Sequence, residues 1–107
     1  MTEKMVVLVT APDEENAAMI GRTLVEERLA ACANIVGAVR SIYRWKGEIC
    51  DERECLLVIK TASEKFRELE KRVRSMHPYE VPEIIALEIS EGSKPYLDWI
   101  AENIRLG

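Results

Sequence analysis

Residues 41–49 read Ser41-Ile42-Tyr43-Arg44-Trp45-Lys46-Gly47-Glu48-Ile49, and the Lys46-Gly47 pair at their centre decides the fold. Glycine accepts the positive φ that short hairpin loops require, so the pair reads as a tight turn. Upstream, Ala33 to Trp45 is rich in β-branched and aromatic residues (Ile35, Val36, Val39, Ile42, Tyr43, Trp45) and has no helical period. Downstream, Ile49 to Thr61 repeats the extended pattern and ends in the apolar run Cys55 to Ile59. The two segments form a long hairpin. Its acidic tip, with Glu48, Asp51, Glu52 and Glu54, is expected to project beyond the globule.

Working outward, Met5 to Val9 (MVVLV) is a continuous apolar run of the kind found in strands covered on both faces, and reads as a central first strand. Pro12, Asp13, Glu14 and Glu15 then supply a helix start, with Asp13 as N-cap and acidic side chains at the positive end of the dipole. Ala17, Ile20, Gly21, Leu24 and Val25 recur at helical spacing and should face a sheet. A second helix is expected after Thr61-Ala62-Ser63-Glu64, whose ends have capping-box spacing. Phe66, Leu69, Val73 and Met76 mark its buried stripe, and Glu68 with Arg72 or Glu70 with Arg74 its i,i+4 pairs.

The stretch Met76 to Ile84 (MHPYEVPEI) holds the only histidine and two of the four prolines. Each proline biases its predecessor toward extended backbone, so His77 and Val81 should lie outside any helix in a stiff bridge. A strand from Glu83 to Ile89 follows, then a helix capped by Ser93 with Pro95 in its first turn. The resulting order, β-α-β-β-α-β plus an extra C-terminal helix, predicts an α+β fold. It is the ferredoxin-like split β-α-β antiparallel sheet, with helices on one face. The bare face needs a partner, and self-association into a closed ring is the economical solution.

A chain of 107 residues is the size of one domain, here taken as residues 1–107. It buries roughly 65% of the surface its unfolded form exposes, enough to fold without staples. With 48% hydrophobic and 32% charged residues it is neither disordered nor membrane-embedded. A net charge of −4, with no basic stripe, argues against nucleic acid. No export signal is read at the N-terminus, so the three cysteines are expected to be reduced thiols in the cytoplasm.

No nucleotide-binding or hydrolase fingerprint is present, which argues against an enzyme. Cys32, in LAACANI, would be a nucleophile only with His77 beside it, and otherwise is a small buried hydrophobe. Cys50 and Cys55, at an odd separation in a strand, point to opposite faces and cannot share a metal. Lys60, at the end of an apolar strand, could hold an anionic ligand. Met76 and His77 pair a thioether with an imidazole, both ligand types for copper. Tyr43, Trp45, Tyr79 and Trp99 are expected to anchor core and interface contacts.

Six strings in register carry a resemblance: TAPDE (Thr10 to Glu14), EERLAACANI (Glu26 to Ile35), SIYRWKGEI (Ser41 to Ile49), LLVIKT (Leu56 to Thr61), HPYEVPEI (His77 to Ile84) and YLDWI (Tyr96 to Ile100). In these the chain closely resembles the CutA family of divalent-cation tolerance proteins. The resemblance implies a tight homotrimer, a cytoplasmic location and a link to copper and other divalent metals. It also implies a copper site built from a cysteine just before TAPDE and two successive histidines before PY. Those positions are Val9, Met76 and His77, so only the last histidine is kept and any copper binding is expected to be weak. The resemblance extends to PII-type signalling proteins, which gives an alternative: an anionic effector held in intersubunit clefts near Lys60, His77 and Tyr79.

Overall fold

The computed structural model describes residues 3–104. The outermost ends of the single-domain expectation, residues 1–2 and 105–107, lie outside the described residues. The elements are β1 (Lys4–Ala11), α1 (Glu14–Glu26), β2 (Cys32–Trp45), β3 (Glu48–Ala62), α2 (Phe66–Met76), β4 (Ile84–Glu88) and α3 (Lys94–Glu102). They form one four-stranded sheet in the order β2-β3-β1-β4, with every neighbouring pair antiparallel. Lys46 and Gly47 take φ of 51° and 82°, the left-handed pair that a two-residue hairpin turn demands.

Local chemistry sets the helices. The Asp13 carboxylate accepts from the Asn16 backbone N–H at 2.8 Å and from the Asn16 amide at 2.9 Å, capping α1. These bonds, the backbone one foremost, hold the Asp13 carboxyl below its usual range. Ala17, Ile20, Gly21 and Leu24 are buried against the sheet. A Cβ at Gly21 would sit 3.2 Å from that of Ala33, so glycine there lets α1 press onto β2. The core joins Val7, Val9, Leu57 and Ile59 from the central strands to Ile20 and Leu24 of α1 and Leu69 and Val73 of α2. Ile100 and Ile104 seal a smaller cluster at the C-terminal end.

Several expectations are corrected. Thr61 and Glu64 form no capping box: β3 runs on to Ala62, and the buried Thr61 hydroxyl donates instead to the Leu29 carbonyl at 2.7 Å. A buried carbonyl needs that donor more than an exposed helix start does. Arg72 turns from Glu68 to Glu27 of the neighbouring loop, in a two-pronged pair with its shortest contacts at 2.9 Å, while Glu70 and Arg74 do pair at 3.8 Å. Planar guanidinium favours a carboxylate it can grip with both nitrogens. Val25 is 40% exposed, overhanging the edge strand β2 beside Ile35. Ser93 stands at the N-cap of α3 without a side-chain cap bond, although Pro95 does occupy the first turn.

The central strand is covered on one face only. Val7, Val9 and Ala11 are fully buried beneath the helices, whereas Val6 and Leu8 point to the other face and are half-buried. Directly opposed residues share a face, so Val58, Val36, Ile85 and Leu87 join Val6 and Leu8 there. Val36, Ile85 and Leu87 are about half exposed. An apolar stripe thus crosses all four strands on a face that α3 caps at its Cys32 and Ala62 end.

Candidate functional site

The proline bridge does what its sequence predicts. Pro78 forces His77 into extended backbone (φ −77°, ψ 136°), which ends α2 and turns the imidazole back toward β1. The ring is buried. Its Nε2 lies 2.7 Å from the Thr10 carbonyl, and its Nδ1 accepts the Tyr79 backbone N–H at 3.1 Å. A carbonyl can only accept and an amide N–H only donate, so this network assigns the ring proton to Nε2. The Tyr79 ring lies 4.7 Å from the imidazole, centroid to centroid, and its phenol donates to Glu54 Oε2 at 2.6 Å. Burial, then the Glu54 carboxylate, push the Tyr79 phenol far above its ordinary pKa.

Glu54 is the residue that the sequence reading misplaced. Expected at an exposed hairpin tip, it is only 7% exposed. A register shift between Val36 and Val39, with Ala38 at φ 59°, re-aims the outer half of β2 and sets Val39 opposite Glu54. Alternation along β3 offered the available signal, since Glu54 shares its face with Leu56 and Val58. Above it opens a cleft of about 660 Å³, walled by Tyr43, Trp45 and Tyr79 and carrying Glu54, Glu80 and Glu83. At its rim Lys46 lies 3.9 Å from Glu80 and 5.6 Å from the centre of the Trp45 ring.

The other candidates lie elsewhere. Lys60 donates to Asn34 Oδ1, which also receives the Cys32 thiol at 3.7 Å. Burial and then Cys32 push up the pKa of the Tyr96 phenol, so Cys32, Asn34, Lys60 and Tyr96 form a separate group on the open sheet face. Lys60 is six residues from Glu54 along β3, roughly 20 Å at strand rise. Cys32 makes no hydrogen bond to His77, and the cysteine–histidine pair of a hydrolase is not assembled. Met76 is half-buried and packs against the main core. Cys50 is partly exposed and Cys55 buried, consistent with opposite faces.

The copper pattern does not fit one subunit. Val9 is wholly buried, Met76 serves the core, and both nitrogens of His77 are already bonded. A metal at His77 would have to displace the Tyr79 N–H from Nδ1. Among the described residues no three His, Cys, Asp or Glu side chains converge to hold an ion.

A four-stranded antiparallel sheet with three helices, and a proline bridge beside a cleft at the root of a long hairpin, define a small α+β domain. The chain belongs to the family described as CutA1 divalent ion tolerance protein, whose profile matches residues 5–103. It is 56% identical over 98 residues to the divalent-cation tolerance protein CutA of Thermus thermophilus, covering 92% of this chain and 95% of that one. Identity to the human protein CutA is 49% over 94 residues, 88% of this chain but only 52% of the human one. Among solved structures, the Thermus thermophilus divalent cation tolerance protein superposes with a TM-score of 0.93 at 54% identity, covering 95% of this chain and 99% of the other. CutA1 from Oryza sativa gives 0.95 at 38% identity, covering 98% and 96%.

Proposed function

We propose that the protein serves tolerance of divalent cations as a homotrimer that binds its ligand and does not transform it. One observation carries this reading: in a chain matched to the family over residues 5–103, an apolar stripe across all four strands stays half exposed beyond the end that α3 caps. Burying each such side chain stabilises by about 1.5–3 kcal/mol, which favours covering the stripe with copies of the same chain. The exposed hairpin residues Ile42 and Ile49, 66% and 64% accessible, extend the surface that a neighbour can cover.

A binding role follows from what the site offers. His77 and Tyr79 are tied into a static hydrogen-bond chain and Cys32 stands apart from both, so no nucleophile meets a base. Three cysteines without disulfides support a reducing, cytoplasmic setting. Among the described residues no helix is long and apolar enough to cross a membrane. The anionic-effector alternative draws no support, because Lys60 lies away from His77 and Tyr79 and the cleft beside them is lined by carboxylates. The test is complementation: a bacterial strain lacking its own family member, challenged with copper and zinc, should regain growth when it expresses this chain. Unchanged sensitivity to both metals would overturn the reading.

A further inference from the structure

The cleft under Tyr79 has a chemistry that divalent-ion tolerance does not explain. Its volume of about 660 Å³ falls within the roughly 300–1,000 Å³ of small-molecule sites and is far larger than a bare ion needs. Three aromatic rings, Tyr43, Trp45 and Tyr79, wall it, and its charged lining residues are Glu54, Glu80 and Glu83. Among the described residues no lysine or arginine lines it.

Glu54 is the decisive member. More than nine-tenths of it is buried, and among the described residues its only partner is the Tyr79 phenol, a neutral donor on one oxygen. Burying a carboxylate with no counter-charge is costly, so a cation delivered to that position is strongly favoured. The rim already displays the same recognition. There the Lys46 ammonium sits between the Glu80 carboxylate at 3.9 Å and the Trp45 ring at 5.6 Å, a carboxylate and a π-face sharing one positive charge. In the same cleft Glu54 and the Tyr43 and Tyr79 rings line one cavity, and among the described residues no lysine or arginine lines it with them. A hard metal ion would want several converging oxygens and an ordered shell, which the described residues do not provide.

We propose that this cleft is a binding site for a small organic cation, an aromatic or alkyl primary ammonium compound, whose charge pairs with Glu54 while its body lies against Tyr43, Trp45 and Tyr79. The cleft shares Ile42 and Trp45 with the hairpin surface assigned to a neighbouring copy, so the proposal rests on the cleft staying open in the assembly, while metal tolerance itself is tested separately.

Calorimetry with three probes of one shape separates charge from fit: tyramine, its neutral alcohol counterpart tyrosol, and the anion 4-hydroxyphenylacetate. The full-length protein is used with a chelator present, so that metals contribute no heat. Tyramine should bind, tyrosol about tenfold or more weakly, in line with loss of a charged hydrogen bond, and the anion not measurably. Glu54→Gln should weaken tyramine by about tenfold and leave tyrosol unchanged. Circular dichroism and sedimentation establish that the variant keeps its fold and assembly. Should Glu54→Gln not fold, Trp45→Phe and Glu83→Gln carry the test, each expected to weaken tyramine more than tyrosol. Equal affinity for all three probes, preference for the anion, or no heat from tyramine would overturn the proposal. Absent tyramine heat together with dissociation of the Glu54→Gln oligomer would assign the cleft to a neighbouring copy instead, and overturn it equally.

Discussion

Tyr79 donates its phenol proton to Glu54 Oε2 at 2.6 Å, fastening the proline bridge to β3 across 25 residues of sequence. Tyr79→Phe keeps the ring and removes only that donor, leaving a buried carboxylate without a partner. The variant should lose about 1–3 kcal/mol in urea denaturation, the cost of an unsatisfied buried acceptor. No loss would mean that Glu54 is solvated.

The same phenol gives a pH signature. Its folded pKa is raised, so the protonated form stabilises the fold fully below the unfolded tyrosine value of about 10. That stabilisation is lost as pH rises from there toward the folded pKa. Stability of the parent should therefore fall as pH climbs past ~10, and Tyr79→Phe should flatten that decline. Identical alkaline profiles for the two proteins would contradict the assignment.

His77 is held at both nitrogens. His77→Ala should destabilise by roughly 2 kcal/mol, the sum of two ordinary hydrogen bonds. His77→Gln, which can still offer an N–H toward the Thr10 carbonyl, should recover part of this. A His77→Ala protein as stable as the parent would show that the ring is not a structural strut.

Thr61 separates two accounts of one residue. As a strand residue bonded to the Leu29 carbonyl, it should tolerate Ser but not Val, with Thr61→Val costing about 1–3 kcal/mol. Thermal melts of both variants make the comparison. Equal melting temperatures for the two would remove the buried bond from the account.

The fold was legible because its signals are local and mutually consistent. Lys46-Gly47 marked the hairpin turn, Asp13 the start of α1, and Pro78 the end of α2, each by restricting the backbone of one or two residues. The Val36–Val39 register shift had one local signal, the isolated Gly37 inside a strand pattern, but that glycine does not tell which way the outer half of β2 is re-aimed. That single irregularity separates an exposed tip from a buried Glu54, and with it the cleft went unseen. His77 was singled out correctly as the unusual side chain of the bridge. Its partners, the Thr10 carbonyl and the Tyr79 amide, are backbone groups that carry no sequence signature.

The hairpin aromatics bear on the proposed assembly. Tyr43 and Trp45 are 40% and 39% exposed in one subunit, although they are among the few large anchors the chain owns. Trp45→Ala should weaken the proposed trimer by more than ~2 kcal/mol, the level of an interface hot spot. Assembly at parental strength would confine Trp45 to the cleft wall.

Sedimentation equilibrium tests the trimer itself most directly. At about micromolar concentration, where a stable oligomer persists, the folded protein should sediment as one species at three times the 12.2 kDa chain mass. A folded species at 12.2 kDa, with native circular dichroism, would show that the apolar stripe needs no second copy and would contradict the account.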